Sequence, residues 1–205
     1  HTAGASTATL AGTPANGDVG SHSVTVTVAD AAGASDTETF TIVVANTNDA
    51  PTISSTAVTS ATEDAAYSYT TTASDVDSGD VVTLACTTVP SWLTCTAGAL
   101  SGTPADANVG SHSVVITASD VAGAAATDSF TITVANTNDA PAISSTAVTA
   151  ASEDAAYSYA ITTSDDDSDS SDSWTITSTS VSWLTMTHTA GASTATLAGT
   201  PANGD

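Results

Sequence analysis

The eighteen residues from His1 to Asp18, HTAGASTATLAGTPANGD, recur unchanged from His188 to Asp205. Identity of that length at an offset of 187 residues marks a repeat period. Repetition constrains the possible folds of this chain more than any other property it has. A shorter period lies inside the long one. NTNDAP stands at 46–51 and again at 136–141, followed by PTISSTAVTSATEDAAYSYT from Pro51 and PAISSTAVTAASEDAAYSYA from Pro141. Each unit then passes through SWLT, GTP, VGSHSV and a Phe-Thr-Ile segment before NTNDAP returns.

The unit from Pro51 to Ala140 is complete and has 90 residues. The unit from Pro141 finds its ending at the start of the chain, where residues 19–50 follow the same eighteen letters, and it has 97. Short and long units therefore alternate. The expected division is the end of a long unit at 1–45, a linker at 46–50 and a complete short unit at 51–135. A second linker at 136–140 and the first part of the next long unit at 141–205 follow. Both cuts cross sheet-forming text that could not fold alone, so the expectation is a window on a longer tandem array.

The chain has no Lys, Arg or Gln and carries 22 acidic residues for a formal charge of −22, while about a third of it is Ser or Thr. Hydrophobic residues make up 40%, enough for packed cores, which separates it from a disordered acidic tail. With no Lys or Arg the carboxylates must be solvated, spread apart or neutralised by metal ions. Nucleic-acid binding is excluded because it needs Lys or Arg against phosphate. No apolar run approaches the ~18 residues of a membrane span, so no membrane insertion is expected of this segment.

Helical spacing of apolar residues is absent, whereas strand signals recur. SHSVVITASD, TDSFTITVAN, AYSYTTTAS and VVTLAC alternate or run with β-branched residues between Gly, Pro, Asn and Asp. Phe130, Ile132 and Val134 share one strand face, as do Phe40, Ile42 and Val44. About seven short strands per unit imply an all-β chain of tandem Greek-key antiparallel sandwiches set end to end. The units differ in length at strand connections, one of them the Asp-rich SDDDSDSSDS and the other the hairpin after SWLT. Trp92 and Trp183 occupy the same place in SWLT and are expected core anchors, while Trp174 has no counterpart and is expected to be more exposed.

Cys86 and Cys95 are the only cysteines. Thr177 and Met186 replace both together in the long unit, which favours a local disulfide over two unrelated core thiols. A disulfide implies an oxidising, extracellular setting.

Four motifs in fixed order carry a resemblance. ASDVAGAAATDSFTITVANTNDAP, ATEDAAY and ASDVDSGD resemble a cadherin repeat. PSWLTCTAGALSGTPADANVGSHSVVITASD is similar to the dystroglycan-type cadherin-like and He_PIG-like immunoglobulin repeats of bacterial extracellular surface proteins. The resemblance implies calcium between successive domains. Its linker motif falls on Asn48 and Asp49, with Asn46 and Ala50 departing from the family pattern, and recurs at Asn138 and Asp139. The Asp-x-Asp of the following domain falls on Asp75 and Asp77, and again on Asp165 and Asp167. The acid after the penultimate strand is Asp120, and Glu63 serves the next linker. The family's Asp-Arg-Glu survives only as Asp106-Ala107-Asn108 and Asn16-Gly17-Asp18, placing Asp106 and Asp18 in the ligand set. One or two calcium ions per linker follow from these matches. The residue chemistry agrees, because calcium takes six to eight oxygen ligands and nothing else here can neutralise converging carboxylates. The alternative is that these Asp residues only initiate turns.

Other site readings fail. DVDSGD is no EF-hand, since its Gly is misplaced and Cys86 stands at the twelfth position. His22, His112, His1 and His188 have no nucleophile elbow or zinc-ligand spacing around them and are expected on the surface of strands. No catalytic constellation is present, so no enzyme is expected. The favoured function is an extracellular fibre or adhesin stalk of calcium-stiffened repeats. Its partners are neighbouring repeats of the same or identical chains, and other cells or surfaces. One alternative is a glycan- or surface-binding module using the variable hairpin or Trp174. Another is a filament in which residues 19–45 of one copy complete the sheet of 141–205 in the next.

Overall fold

The computed structural model describes residues 7–167, 174–179 and 181–204. The chain begins with a hairpin of β1 (Gly20–Ala29) and β2 (Ser35–Val44), preceded by a 3₁₀ turn at Asn16–Asp18. A sandwich follows, from β3 (Thr52–Ile53) and β4 (Ser60–Thr62) through β5 (Tyr67–Thr70), β6 (Ala73–Ser74) and β7 (Thr83–Thr88). β8 (Leu93–Thr96), β9 (Ala99–Gly102), β10 (Gly110–Ser119) and β11 (Ala125–Ala135) complete it, with a second 3₁₀ turn at Asp106–Asn108. The last part holds β12 (Ala142–Ile143), β13 (Tyr157–Ser164), β14 (Leu184–His188) and β15 (Thr194–Gly199).

In the central sandwich one sheet has the order β4-β11-β10-β7, and β5-β9-β8 faces it, with β3-β6 as a short pair at one end. Pairing is antiparallel except where β4 runs parallel to β11. The alternation read from the sequence sets the core. Val114, Ile116 and Ala118 of β10 and Ile132 of β11 are completely buried, against Tyr67, Tyr69, Leu93 and Leu100 of the facing sheet. Phe130 meets Tyr69 edge-on at 5.6 Å between ring centres. Trp92 packs against Tyr67 at 5.8 Å and against His112 at 5.9 Å. His112 is thus a partner of the core rim rather than a plain surface residue, and its ring N–H donates to the Asn108 carbonyl at 2.6 Å. A disulfide joins Cys86 of β7 to Cys95 of β8 and so ties the two sheets together. Gly102 lies so close to the Trp92 carbonyl that a Cβ there would overlap it; Gly199 and Trp183 repeat the relation.

Outward-facing positions carry hydroxyls instead of charges. Thr25 and Thr39 pair at 3.1 Å across the β1–β2 hairpin, and Thr27 and Thr37 at 3.3 Å. The linkers reach the central sandwich at opposite ends. Asp120 follows the last residue of β10, while Val134, next to the end of β11, pairs with Gly110 at its start. Ten residues at ~3.4 Å each separate those ends by about 30 Å.

Candidate metal centres at the two seams

The first seam forms where the 46–50 linker meets the central sandwich. After β6 the chain turns through Asp75-Val76-Asp77-Ser78-Gly79-Asp80, with Gly79 at a φ of 94° that favours glycine. The Asp77 N–H donates to Asp75 Oδ1 at 2.9 Å, and the Asp80 N–H donates to the Asp77 carbonyl at 3.3 Å. Short side chains that bond their own backbone make this tight turn possible. It brings one carboxylate oxygen each from Asp75, Asp77 and Asp80 within 4.8 Å of one another. The linker lies across them. Asp49 N–H donates to Asp77 Oδ2 at 2.7 Å, Asn48 Nδ2 to Asp120 Oδ2 at 2.7 Å, and Asn16 Nδ2 to Asp49 Oδ2 at 3.1 Å. Asp120 also closes the β10–β11 turn, where its Oδ1 accepts from the N–H groups of Gly123 and Ala124.

The second seam uses the other end of the same sandwich. Glu63, just past β4, is buried, and its Oε2 accepts the Thr137 N–H at 3.2 Å. Asp64 takes a left-handed backbone with φ of 56°, which Asp tolerates. Oxygens of Glu63, Asp64 and Asp139 converge within 4.8 Å. On the far side Asp139 N–H donates to Asp167 Oδ2 at 2.8 Å, matching Asp49 on Asp77, and Asn136 Nδ2 donates to Asp167 Oδ1 at 2.9 Å. Asp165 Oδ1 accepts the Asp167 N–H at 3.4 Å. Asn138 turns its amide to the Asp139 carbonyl at 2.7 Å.

Crowding shows in the acidities. Burial first, then the charges of Asp106, Asp64 and Asp139, raises the Glu63 pKa, against a lowering contribution from the Thr137 N–H. Asp139 is raised by burial and by Asp64, Asp167, Asp166 and Asp165. Asp80 is raised by burial and by Asp75, Asp120 and Asp77. Asp120 goes the other way, held down mainly by the Asn48 amide and also by backbone N–H donors of its turn.

The structure thus brings Asn48, Asp49, Asp75, Asp77 and Asp120 to one seam, and Glu63, Asp139, Asp165 and Asp167 to the other, with Asp106 close enough to act on Glu63. Asp18 does not join them. Its Oδ2 accepts the Ala15 N–H at 2.8 Å and caps the 3₁₀ turn, as Asn108 does for Ala105, and Asn16 reaches the seam in its place. Asp64, Asp80, Asn16 and Asn136 were not singled out by sequence. Asp64 and Asp80 could have been, from their adjacency to Glu63 and to the Asp-x-Asp turn. Trp174 is half-buried in a shallow groove with Ile143, Thr163 and Asp165, and the rest of the Asp-rich stretch, 168–173, lies outside the described residues.

Several oxygens in these seams are buried without a hydrogen-bond partner: Asp75 Oδ2, Asp77 Oδ1 and Asn136 Oδ1. A buried, unpaired carboxylate oxygen is costly. The chain has no Lys or Arg to pair with it. An oxygen-only donor set of this density fits a hard divalent cation such as calcium, whose six to eight ligands are carboxylates, amide carbonyls and backbone.

The family model described as Putative Ig domain (He_PIG) matches residues 2–45 and 50–135. No curated protein matches the chain in sequence. Among solved structures, PcdhgB3 EC1-4 superposes with a TM-score of 0.58 at 18% identity, over 94% of this chain and 51% of that one. The protocadherin GammaB4 extracellular domain gives 0.55 at 19% identity, over 91% and 32%. The endo-fucoidan hydrolase MfFcnA4 from glycoside hydrolase family 107 gives 0.40 at 28% identity, over 95% and 31%, too loose a superposition to bear on activity. The chain thus spans about a third to a half of each of these structures. The likeness to the two cadherin chains shows the fold: tandem β-sandwiches. No helix among the described residues is long and apolar enough to cross a membrane.

Proposed function

The chain belongs to the Putative Ig domain family, and from that premise we propose that it is a segment of an extracellular fibre or adhesin stalk whose repeats are stiffened by calcium at their seams. In this reading residues 51–135 form one repeat, 46–50 and 136–140 are its linkers, and 1–45 and 141–205 belong to flanking repeats. Asp75, Asp77 and Asp80, with Asp49 and Asp120, would hold the ion at the first seam. Glu63, Asp64 and Asp139, with Asp106, Asp165 and Asp167, would hold it at the second.

The carrying observation is the pair of buried, unpartnered oxygens on Asp75 and Asp77 in a chain without Lys or Arg. The residues themselves orient the linker: the Asp49 and Asp139 N–H groups grip the Asp-x-Asp turn of the sandwich that follows. Calcium would supply the positive charge that lets the remaining carboxylates stay together, so that the linker cannot swing away. The disulfide supports an oxidising setting outside the cell. Partners are then the adjoining repeats, of the same chain or of identical ones.

The test is end-to-end length by small-angle scattering, together with cleavage of the linkers by a protease that needs no Lys or Arg. Calcium should lengthen the particle and protect 46–50 and 136–140, with half-saturation of roughly 10⁻⁴–10⁻³ M as in other extracellular modules. Equal length and equal cleavage in calcium and in chelator would refute the reading.

A further inference from the structure

Asn16 and Asp106 stand at the same place in their units, each opening the 3₁₀ turn that precedes the last hairpin. The two turns share one backbone. Ala15 and Ala105 before them have φ of −105° and −101°, both with ψ of 175°, and Val19 and Val109 after them agree as closely. The side chains differ. The short unit has a carboxylate there followed by Ala107, whereas the long unit has an amide followed by Gly17. Asn203-Gly204 repeats the pair in the next long unit, and no other Asn of the chain precedes a Gly.

Asn is a thermally labile residue, and a following Gly makes it most so. Without a Cβ the glycine nitrogen can swing onto the side-chain carbonyl carbon of the Asn. The local geometry leaves that nitrogen available. The turn's backbone hydrogen bonds come from the N–H groups of Asp18 and Val19, and among the described residues the Gly17 N–H donates to nothing. A Cβ on Gly17 would have no atom within 4 Å, so nothing crowds the approach. Water reaches Gly17, as it reaches Ala107 in the complete unit. The amide itself is a latch: Asn16 Nδ2 donates to Asp49 Oδ2 at 3.1 Å and so ties the first unit to its linker.

We propose that Asn16-Gly17 is a site of spontaneous deamidation, by which the chain turns this latch into a pair of carboxylates. The Gly17 nitrogen forms a bond to Asn16 Cγ and gives up its proton, while the Cγ–Nδ2 bond breaks and ammonia leaves. Water then opens the succinimide ring at either carbonyl. One opening gives aspartate in an ordinary peptide; the other gives isoaspartate, whose main chain runs through the side-chain carbon. Either product lacks the donor that held Asp49 and sets a negative charge against it. In a chain without Lys or Arg, a proton or a metal cation must then hold the two carboxylates together. The first seam thus passes from a direct hydrogen bond to a cation-dependent one, the state that Asp106 gives the second seam from the outset. That the cation is calcium rests on the reading above; the conversion itself does not.

The experiment ages the full chain in warm, mildly alkaline heavy-oxygen water with chelator, beside Gly17→Ala and Asn16→Asp. Gly17→Ala copies the short unit and has room for its methyl group. Peptide mass spectrometry should find heavy oxygen at Asn16 and Asn203 before it appears at Asn46, Asn48, Asn108, Asn136 or Asn138. In Gly17→Ala, Asn16 should stay an amide. A protease that needs no Lys or Arg should cut 46–50 about tenfold faster in Asn16→Asp than in fresh wild type, the effect of losing a hydrogen bond to a charged group. Aged wild type should move to that rate, and aged Gly17→Ala should not. Labelling of Asn16 no sooner than Asn108 overturns the proposal, as does labelling that Gly17→Ala leaves unchanged. Cleavage of Asn16→Asp no faster than fresh wild type overturns it too. None of these arms contains calcium, so the calcium reading fails separately: calcium added to Gly17→Ala would then leave 46–50 as open to cleavage as chelator does.

Discussion

The disulfide offers the sharpest test of how the central sandwich is held, because its contribution can be worked from chain position alone. Cys86 and Cys95 are nine residues apart in sequence and belong to β7 and β8, which lie in different sheets. In the chain-entropy treatment, closing a loop of that size removes about 2.6 kcal/mol of freedom from the unfolded chain. A sandwich of roughly 85 residues loses about 4–8 °C of melting temperature per kcal/mol, so Cys86→Ser with Cys95→Ser should melt about 10–20 °C lower. Near-ultraviolet circular dichroism in excess calcium reads the Trp92–Tyr67 contact and so follows this sandwich. Reduced wild type should coincide with the variant, since both lack only the bond. Cys86→Thr with Cys95→Met, which installs the residues found at 177 and 186, should recover part of the loss by packing, because Cys86 and Cys95 adjoin the buried cluster. A serine variant melting within 3 °C of wild type (under ~1 kcal/mol on the same scale) would show that the sheets are held by their cores alone.

Further expectations follow from the same contacts. Asp75→Asn with Asp77→Asn should abolish calcium protection of the 46–50 linker while leaving 136–140 protected, as read by mass spectrometry of protease fragments. Tyr67, whose hydroxyl donates to the Val58 carbonyl at 2.7 Å, has a pKa pushed up to about 12 by burial and by Tyr69. A raised acid favours the folded state below its unfolded pKa, so stability should fall as pH rises from about 10 to about 12. Tyr67→Phe should flatten that part of the denaturation profile. In calcium-free protein the raised Glu63, Asp80 and Asp139 should make the seams loosen as pH rises from their unfolded values through their folded ones, with less linker cleavage on the acid side. Asp120, lowered by Asn48, opposes this below its ordinary 3.8, where protonation should release the Asn48 amide. Gly102→Ala should cost roughly 3 kcal/mol or more, seen as a lower denaturant midpoint, because the Trp92 carbonyl occupies the space its Cβ needs.

The sheets were legible because alternation survives translation into burial: Val114, Ile116, Ala118 and Ile132 fall on every second residue of their strands, and they are completely buried. The disulfide was legible from the joint loss of both cysteines in the other unit. Seam membership was only half legible. Position in a motif says that a carboxylate lies near a junction, while direction depends on the turn that carries it. Asp18 occupies a ligand-like place in the sequence, yet the 3₁₀ geometry points its side chain back at Ala15 and sends Asn16 across instead. Asp64 and Asp80 reach their clusters through turns, one left-handed and one set by Gly79, whose conformations no periodicity records. Gly102 stood in an evident GTP motif, but its cause, the approach of the Trp92 carbonyl, is a contact between strands that sequence spacing does not contain.

Charge placement connects these findings. Among the described residues only Asp36, Glu38 and Asp128 of the acids lie inside strands; the others sit in turns, linkers and seams. A chain with no Lys or Arg has no permanent cation beside a carboxylate on a sheet face, and repulsion across paired strands would weaken the ladder. Ser and Thr give the outer faces solubility without charge, and their hydroxyls bond across strands as in the Thr25–Thr39 pair. The acids are thereby left for places where backbone N–H groups can bind them, as at Asp120 and Asp77, or where a cation can. The absence of Lys and Arg therefore makes the junctions the parts of this fold most responsive to ions. The apolar cluster at the centre of its sandwich, adjoined by the one disulfide, contains no carboxylate.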